Sequence, residues 1–333
     1  MIQGFSRHAF RPLSSRIKEV SNLPVRSTGR TVLCWLSVLL LAASPVTMAS
    51  SDRPDTLVIG KISHNPKKHY HYLKPMADYV QKQMIDLGYK HAKVLMARDN
   101  RQMIRYLRSG KVDWVTETLM SAVELQRKSG AELLVKKWKK GQPEYHSIFF
   151  TRKGSGIQSI SDLSGKSIAF EDPGSSTAYF IPAELLLRKG YRLVKLTTPR
   201  DKPPVDAVGY SFAREEINIS TWVHKGLVDV GVMNNHDWNK EDHLPHIFQR
   251  DMQIIHRTES FPRAVELVRP GLEPGVKSRL KSILLNAHRD PAAQKVLPVY
   301  QETERFEELT PELRQNLNEI YKTVEFVRSR LNR

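Results

Sequence analysis

The sequence predicts an α/β protein of two lobes, and three observations lead to this fold class. The chain has 333 residues, and above roughly 250 residues a single hydrophobic core tends to divide. Short apolar runs with β-strand character alternate with amphipathic segments of helical spacing, which favours largely parallel sheets flanked by helices. A second series of the same kind begins near residue 159. We therefore expect one mainly parallel sheet in each lobe.

The predicted elements follow in order along the chain. Apolar residues at positions 73, 76, 77, 80 and 84 recur with the spacing of a helix over 72–87. Further elements of the first series are strands at 57–60, 93–96, 112–115 and 145–151 and helices at 101–108 and 121–128. The second series has strands at 166–170, 193–196, 228–233, 254–256 and 264–268 and helices at 175–189 and 215–224. The tail over 274–333 is expected to be mostly helical.

Composition narrows the class of partner. The formal net charge is +17, which suits an anionic ligand, a nucleic acid or an acidic membrane surface. No arginine-rich tract or nucleic-acid motif follows residue 50, so the sequence favours a protein that does not bind nucleic acid. The single cysteine, Cys34, lies in an apolar leader. Without that leader, disulfides, cysteine catalysis and cysteine-ligated metals are excluded.

The first 49 residues have the pattern of a secretory signal peptide. A basic stretch precedes the uncharged run 31–43, and small residues follow at 45–50. We expect cleavage after Ala49, a periplasmic location and no stable membrane insertion of the mature chain. The alternative is an uncleaved anchor, although the thirteen-residue run is short for a span that needs about 20 residues.

The most informative motif is the stretch 168–179. A buried strand ends at Phe170, a Pro-Gly turn follows, and a helix then opens on Ser175, Ser176 and Thr177. The first N–H groups of a helix lack intrahelical partners and carry partial positive charge. Hydroxyl groups beside those amides add donors, so the motif predicts a site for a tetrahedral oxyanion. The alternative is a plain N-cap, in which Ser175 satisfies the helix's own amides.

Several short stretches resemble one known family in their order and spacing. The residues from about 55 to 328 resemble the periplasmic binding components of phosphate, phosphite and phosphonate ABC transporters. The stretches that carry the resemblance are GKISHNP at 60–66, LKPMADY at 73–79, SGKVD at 109–113, YHSIFF at 145–150, ISDLSGK at 160–166, DPGSST at 172–177 and GLVDVG at 226–231.

The resemblance implies a type II periplasmic-binding fold, with two α/β lobes joined by two crossover strands around a ligand cleft. It places residues 55–148 and 262–333 in the first lobe and residues 149–261 in the second. It implies capture of a small phosphonate-, phosphate- or phosphite-like oxyanion for permease subunits, by a monomer. From the residues themselves we expect no cofactor, metal or catalysis. The resemblance also makes Ser175, Ser176 and Thr177 the oxyanion contacts of the second lobe.

First-lobe contacts are expected where strands end at the cleft. The turn Ser63, His64 and Asn65 precedes a helix, and Glu117 and Thr118 end the strand that starts at 112. The alternative for Ser63 and Asn65 is turn chemistry alone. Glu117 is either a structural cap or an acceptor for a protonated oxyanion or a ligand amine.

The chain departs from the family pattern at 214–218. Phosphonate-binding members often carry Ser-His-Asp there, whereas this chain has Arg-Glu-Glu-Ile-Asn. A carboxylate such as Glu216 repels a dianion unless it is protonated or pairs with a ligand amine, so the change admits an aminophosphonate or another anion. Arg214 is a possible bidentate partner. Asn235, which follows a second-lobe strand, is a further candidate donor with capping as its alternative.

Three other functions remain as alternatives. A metal site would need converging imidazoles, and the histidines that cluster in sequence are His64, His69, His71, His236, His243 and His246. An enzyme acting on phosphoesters is the second, although the sequence has no nucleophile elbow, Walker loop, zincin helix or Rossmann fingerprint. A ligand-sensing partner of a membrane receptor or kinase is the third, with the same fold and site.

Overall fold

The computed structural model describes residues 55–331, which contain two six-stranded sheets. The predicted signal peptide and Cys34 lie outside this range. The first-lobe sheet has the order β14-β4-β13-β3-β1-β2, with β1 Thr56–Ile62, β2 His91–Ala97, β3 Trp114–Glu117, β4 Glu132–Lys139, β13 Ala264–Val268 and β14 Thr303–Glu307. The second-lobe sheet has the order β11-β6-β10-β7-β9-β8, with β6 Ser147–Arg152, β7 Ser167–Phe170, β8 Arg192–Lys195, β9 Ala207–Phe212, β10 Val230–Asn234 and β11 Met252–Arg257.

Helices flank both sheets, so the predicted α/β class is confirmed. They are α1 Pro66–Lys82, α2 Asn100–Arg108, α3 Leu119–Ser129, α4 Ile181–Arg188, α5 Glu216–His224, α6 His246–Gln249, α7 Pro274–Asn286 and α8 Pro311–Leu331. Both sheets are mixed. β1 pairs parallel with β2 and β3, whereas β13, β4 and β14 pair antiparallel. In the second sheet β10, β7, β9 and β8 pair parallel, and β6 and β11 antiparallel.

A short two-stranded ribbon carries the chain between the sheets. The strands β5 Glu144–Tyr145 and β12 Phe261–Pro262 pair antiparallel, with Tyr145 opposite Phe261. The strand predicted at 145–151 is therefore divided, because its first residue belongs to the ribbon and β6 begins only at residue 147. The lobe boundaries near 148 and 261 stay a prediction.

Each lobe has its own apolar core, and the last helix contributes to both. In the first lobe, Leu57 and Ile59 of β1 pack against α1. In the second, Phe149 and Ile168 pack against α4 and α8. The N-terminal half of α8 joins the first lobe, while its C-terminal half joins the second. The assignment of 262–333 to the first lobe therefore does not describe all the contacts of α8.

Local chemistry explains where two helices near the cleft begin. Asn65 caps α1, because its Oδ1 accepts from the Lys68 N–H at 3.2 Å, and Pro66 occupies the first turn. The helix therefore starts earlier than the periodicity at 72–87 predicts. Before α4, one π-helical turn spans Ser176–Phe180. Ser175 caps this turn, since its Oγ accepts from the Ala178 N–H at 3.1 Å.

None of the helices within residues 55–331 combines the length and the apolar character that a bilayer span requires.

Candidate functional site

A polar cavity of about 150 Å³ lies between the two lobes. The ends of β1 and β3 form its first-lobe wall, together with Lys139 at the end of β4. The loop between β7 and α4 and the start of α5 form the wall of the second lobe. Carboxyl ends of parallel strands thus meet at the cleft, as expected for ligand sites in α/β sheets. Of the predicted contacts, those that line the cavity are Ser63, His64, Asn65, Glu117, Thr118, Ser175 and Glu216.

Glu117 and Ser63 hold the first-lobe wall in shape. Glu117 is buried, and its Oε1 accepts from the Ile62 N–H at 2.8 Å and from Lys61 Nζ at 3.5 Å. The Ser63 Oγ accepts from the Asn65 N–H at 2.9 Å and lies 2.6 Å from His69 Nδ1. Burial and the cations Lys61 and Lys139 lower the pKa of His69 to about 2. His69 is therefore neutral, and these groups build the wall around their own hydrogen bonds.

The three residues Ser175, Ser176 and Thr177, which we call the hydroxyl motif, lie where the second lobe contacts the first. Ser176 and Thr177 are 1% and 2% exposed and are not among the residues that line the cavity. The Ser176 Oγ accepts from the Met120 N–H of α3 at 3.1 Å, so a second-lobe side chain caps a first-lobe helix. The main-chain N–H groups of Ser176 and Thr177 have no acceptor within residues 55–331. Two unpaired amides thus remain at the predicted helix start.

Ser176→Ala tests this interlobe cap. The change leaves the buried Met120 N–H without an acceptor, which costs about 1–3 kcal/mol. We expect the free energy of unfolding to fall by about that amount, as measured by urea denaturation. Ser161→Ala is the control, since the Ser161 side chain is exposed and accepts no helix amide. Equal stability of both variants would contradict the cap.

Tyr145 and Arg263 lie next to the hydroxyl motif, in the ribbon between the lobes. Both are buried, and the Arg263 Cζ lies 4.2 Å from the centroid of the Tyr145 ring. The Ser176 and Thr177 hydroxyls face the Tyr145 hydroxyl. Within the described chain, however, neither the Tyr145 Oη nor the Arg263 Nε has a partner with hydrogen-bond geometry. Burial raises the pKa of Tyr145, and Arg263 offsets part of this rise. Tyr145 is therefore a neutral donor.

Lys139 lines the cavity without a counter-ion among the described residues. Within residues 55–331, no carboxylate oxygen lies within 4.0 Å of its Nζ. Burial, and then the positive charges of Arg263 and Lys61, lower its pKa well below the ordinary value. Lys137, two residues earlier on β4, instead pairs with Glu266 at 3.1 Å, and both side chains are fully buried. We call Lys139, Tyr145, Arg263, Ser176 and Thr177 the donor cluster.

The wall of the cavity that faces these cations is acidic. Burial, and then the neighbouring carboxylates Glu216 and Asp172, raise the pKa of Glu171 well above its ordinary value. Burial and Asp237 likewise raise the pKa of Glu216. The cavity is therefore bipolar, with Lys61 and Lys139 on the first-lobe wall and carboxyl groups of raised pKa on the second-lobe wall.

Asn235 contacts the segment 142–146, which contains the ribbon strand β5, and does not line the cavity. Its Oδ1 accepts from the His146 N–H at 3.0 Å, and its Nδ2 donates to Gln142 Oε1 at 3.3 Å. At the cavity mouth, His64 Nε2 lies 3.1 Å from the Arg214 guanidinium of the other lobe. The structure thus brings seven of the predicted contacts to one cavity and places Ser176, Thr177 and Asn235 outside its lining.

Lys139 and Arg263 were absent from the sequence-based candidates. Each lies at the end of a strand beside the interlobe ribbon, and their positions in the chain are far apart. Lys137 and Lys139 look alike in sequence, and only the folded structure shows that one is paired and the other is not. The sequence does contain a lysine and an arginine next to the two segments that are predicted to cross between the lobes, and this was the indication that could have identified them.

One group of potential metal ligands among the described residues lies in the second lobe, next to Lys140. The ligand atoms of Glu216, Asp237 and His243 lie within 4.8 Å of one another. Lys140 Nζ, however, donates to Asp237 Oδ1 at 2.7 Å, and His243 Nδ1 lies 2.9 Å from the same oxygen. The ammonium group thus already supplies positive charge to this carboxylate.

Comparisons with known proteins agree with this architecture. Residues 59–313 match the family of ABC transporter, phosphonate, periplasmic substrate-binding proteins. XAC2383 from Xanthomonas citri, solved with chloride and with ATP, is 40% identical, with TM-scores of 0.80 and 0.79. The alignments cover 83% of this chain and 100% and 99% of that protein. PhnD1 from Prochlorococcus marinus in complex with methylphosphonate is 17% identical over 82% of this chain and 99% of PhnD1, with a TM-score of 0.64, and so shares the fold.

Two α/β sheets linked by a short ribbon around a polar cleft define a solute-binding protein of the type II periplasmic-binding fold. The chain belongs to the phosphonate substrate-binding family of ABC transporters. The family places the chain in the periplasm, with transporter subunits as its partners.

Proposed function

We propose that the protein captures a small phosphonate-, phosphate- or phosphite-like oxyanion between its lobes and delivers it to an ABC permease. The donor cluster is the observation that carries this proposal. Two main-chain amides, the Tyr145 hydroxyl and the Arg263 Nε are buried and lack acceptors within the described chain, and the half-buried Lys139 has no counter-ion there. A buried donor without a partner costs free energy. A tetrahedral oxyanion supplies several acceptor oxygens at once and removes that cost.

The size of the site favours a small anion. The cavity of about 150 Å³ is below the roughly 300–1,000 Å³ that enclose drug-sized ligands. Lys139, a member of the donor cluster, lines this cavity, and so does Ser175, which directly precedes the two unpaired amides. A nucleotide such as the ATP bound by XAC2383 would exceed the closed cavity. In this chain a nucleotide would therefore require parted lobes, whereas a phosphonate head group fits the closed form.

The acidic wall favours an oxyanion that presents a donor on its outer side. Glu171 and Glu216 face the cavity with raised pKa values. A ligand ammonium group would pair with either carboxylate in its ionised form, and a protonated ligand oxygen would donate to it. A fully ionised dianion without such a donor would meet repulsion. The proposed ligand is therefore an aminophosphonate or a singly protonated oxyanion.

Closure of the lobes accounts for retention of the ligand. Interlobe contacts at the mouth join His64 to Arg214 and Lys68 to Glu215, the second pair at 3.8 Å. Beside the donor cluster, the Thr118 Oγ1 donates to the Gly174 carbonyl at 3.2 Å. An anion that bridges both lobes shifts the population toward this closed form. We propose that the permease reads the closed form and that the ligand is released chemically unchanged.

A ligand panel tests the proposed function. We expect different rises in melting temperature, in a thermal-shift assay at neutral pH, with methylphosphonate, 2-aminoethylphosphonate, phosphite, phosphate and sulfate. The bipolar cavity predicts the largest rise in melting temperature with 2-aminoethylphosphonate, and a smaller rise with sulfate, which carries neither an amine nor a proton at this pH. A flat response across the panel would remove the proposal, and a preference for sulfate would contradict the role of the acidic wall.

A further inference from the structure

The last helix, α8, forms a connection between the lobes that is separate from the ribbon. Leu313 and Tyr321 belong to the first-lobe core, and Val324 and Val327, both at most 1% exposed, belong to the core of the second. The Thr323 hydroxyl adds a 2.9 Å hydrogen bond to Glu184 of α4. The apolar C-terminal half therefore anchors α8 to the second lobe.

Arg328 is the residue of α8 that reaches from this anchored half to the first lobe. Its Nη2 donates to Glu124 Oε2 of α3 at 2.9 Å and approaches the Pro173 carbonyl of the second lobe at 3.4 Å. Its guanidinium also lies 5.0 Å from the Phe180 ring centroid. One side chain thus contacts α3, the loop before the hydroxyl motif and the turn that follows that motif.

The first-lobe partner of Arg328 is held rigidly. Glu124 is 4% exposed, accepts from Asn100 Nδ2 at 2.7 Å and pairs with Lys128 Nζ at 2.8 Å. Burial alone would raise the pKa of Glu124, but Arg328 and Lys128 outweigh burial, and the pKa lies below the ordinary value. Glu124 is therefore an ionised, fixed anchor, and the Arg328 contact depends on the closed arrangement of the lobes.

The loop that Arg328 touches leads directly into the donor cluster. The Gly174 carbonyl accepts from Thr118 Oγ1 at 3.2 Å and from Ser121 Oγ at 3.3 Å. A Cβ at Gly174 would lie 3.1 Å from Ser121 Oγ, so the lobes approach closely here. Two residues further on come the unpaired amides of Ser176 and Thr177. The position of Pro173 and Gly174 thus sets the position of these amides.

We propose that Arg328 is a positioning residue for the anion-binding loop 172–175. By contacting Glu124 on one lobe and Pro173 on the other, it stabilises the closed form and slows release of the bound oxyanion. The ligand part of this inference rests on the proposed function, whereas its effect on closure does not need a ligand.

Closure is measured first without a ligand. The described range contains no cysteine, so spin labels can be attached at Lys67→Cys and Arg200→Cys, which are exposed positions on different lobes. We expect Arg328→Gln to shift the interlobe distance distribution toward longer distances, and Arg328→Lys to restore part of the closed population. Arg330→Gln is the matched control, because Arg330 is exposed on the same helix, with its guanidinium 5.6 Å from the Phe326 ring centroid. Identical distributions for Arg328→Gln and the unsubstituted protein would overturn the proposal.

Release is measured second, with 2-aminoethylphosphonate as the probe in stopped-flow fluorescence. We expect Arg328→Gln to raise the dissociation rate constant about tenfold and to leave the association rate constant within about twofold. A general structural role would lower the ligand-free melting temperature without changing the dissociation rate, and that result would overturn the proposal. If the unsubstituted protein does not bind the probe, the proposed ligand class fails, and the distance distributions alone decide the role of Arg328.

Discussion

Arg263→Met is expected to weaken oxyanion binding by about a hundredfold while the fold remains stable. Truncating one partner of a buried, charged hydrogen bond typically costs 2–5 kcal/mol of binding free energy, or roughly 30- to 5,000-fold. Arg263 is 4% exposed, and its Nε has no partner within the described chain. Methionine keeps the apolar stem against Tyr145 and removes the unpaired charge. The loss should therefore appear in the ligand complex and not in the ligand-free protein.

Calorimetric titration with 2-aminoethylphosphonate and thermal melting without ligand measure the two effects of Arg263→Met separately. Arg305→Met is the matched control. Arg305 also stacks on an aromatic ring, with its Cζ 3.8 Å from the Trp138 centroid, and its Nε likewise has no partner within the described chain, but its guanidinium pairs with Glu307 at 2.9 Å. Equal affinities of the two variants would remove Arg263 from the site.

Lys139→Met is expected to stabilise the ligand-free protein and to weaken anion binding. Lys139 is half-buried and has no counter-ion within the described chain, and an unpaired cation that is partly removed from water costs free energy unless it loses its proton. Methionine fills a similar volume without that cost, so we expect the free energy of unfolding to rise by about 1–3 kcal/mol. A gain in stability with a loss of function is typical of a residue kept for binding. Lys90→Met, at an exposed position, is the control and should change neither quantity.

The pH dependence of Lys139→Met has a definite sign. The pKa of Lys139 is lowered in the folded protein from an ordinary value of 10.5. Between the lowered pKa and 10.5, the unfolded chain holds the proton that the folded chain has released, so the Lys139 contribution to stability rises with pH. Lys139→Met should flatten this rise in stability, measured by urea denaturation, as the pH increases toward 10.5. A parallel rise in both proteins would contradict the unpaired state of Lys139.

The sequence predicted the local parts of the site better than the parts built by tertiary contacts. The cap at Ser175 and the Pro-Gly turn before it are fixed by neighbouring residues, and the structure has both. The antiparallel strand β4 was not predicted, because its lysines at 136, 137 and 139 interrupt the apolar pattern that is typical of a buried strand. The first two lysines are tolerated because Lys136 pairs with Glu307 and Lys137 pairs with Glu266.

The same limit explains why the sequence did not identify the donor cluster. Whether a polar side chain lacks a partner depends on residues that the two lobes bring together from distant parts of the chain. Tyr145 was predicted only as the start of a strand, and Arg263 was not singled out. The predicted role of Ser176 also changes, because its hydroxyl accepts from Met120 across the cleft. Its main-chain N–H, and not its side-chain oxygen, is the group free for an anion.

A crystal structure of the protein grown with 2-aminoethylphosphonate tests the central claim most directly. We expect the phosphonate oxygens within about 3.2 Å of the Ser176 and Thr177 N–H groups, the Tyr145 Oη and the Arg263 guanidinium, with the ligand ammonium directed at Glu171 or Glu216. A phosphonate bound only at the outer mouth, beside His64 and Arg214, or a donor cluster left without the anion, would contradict the account.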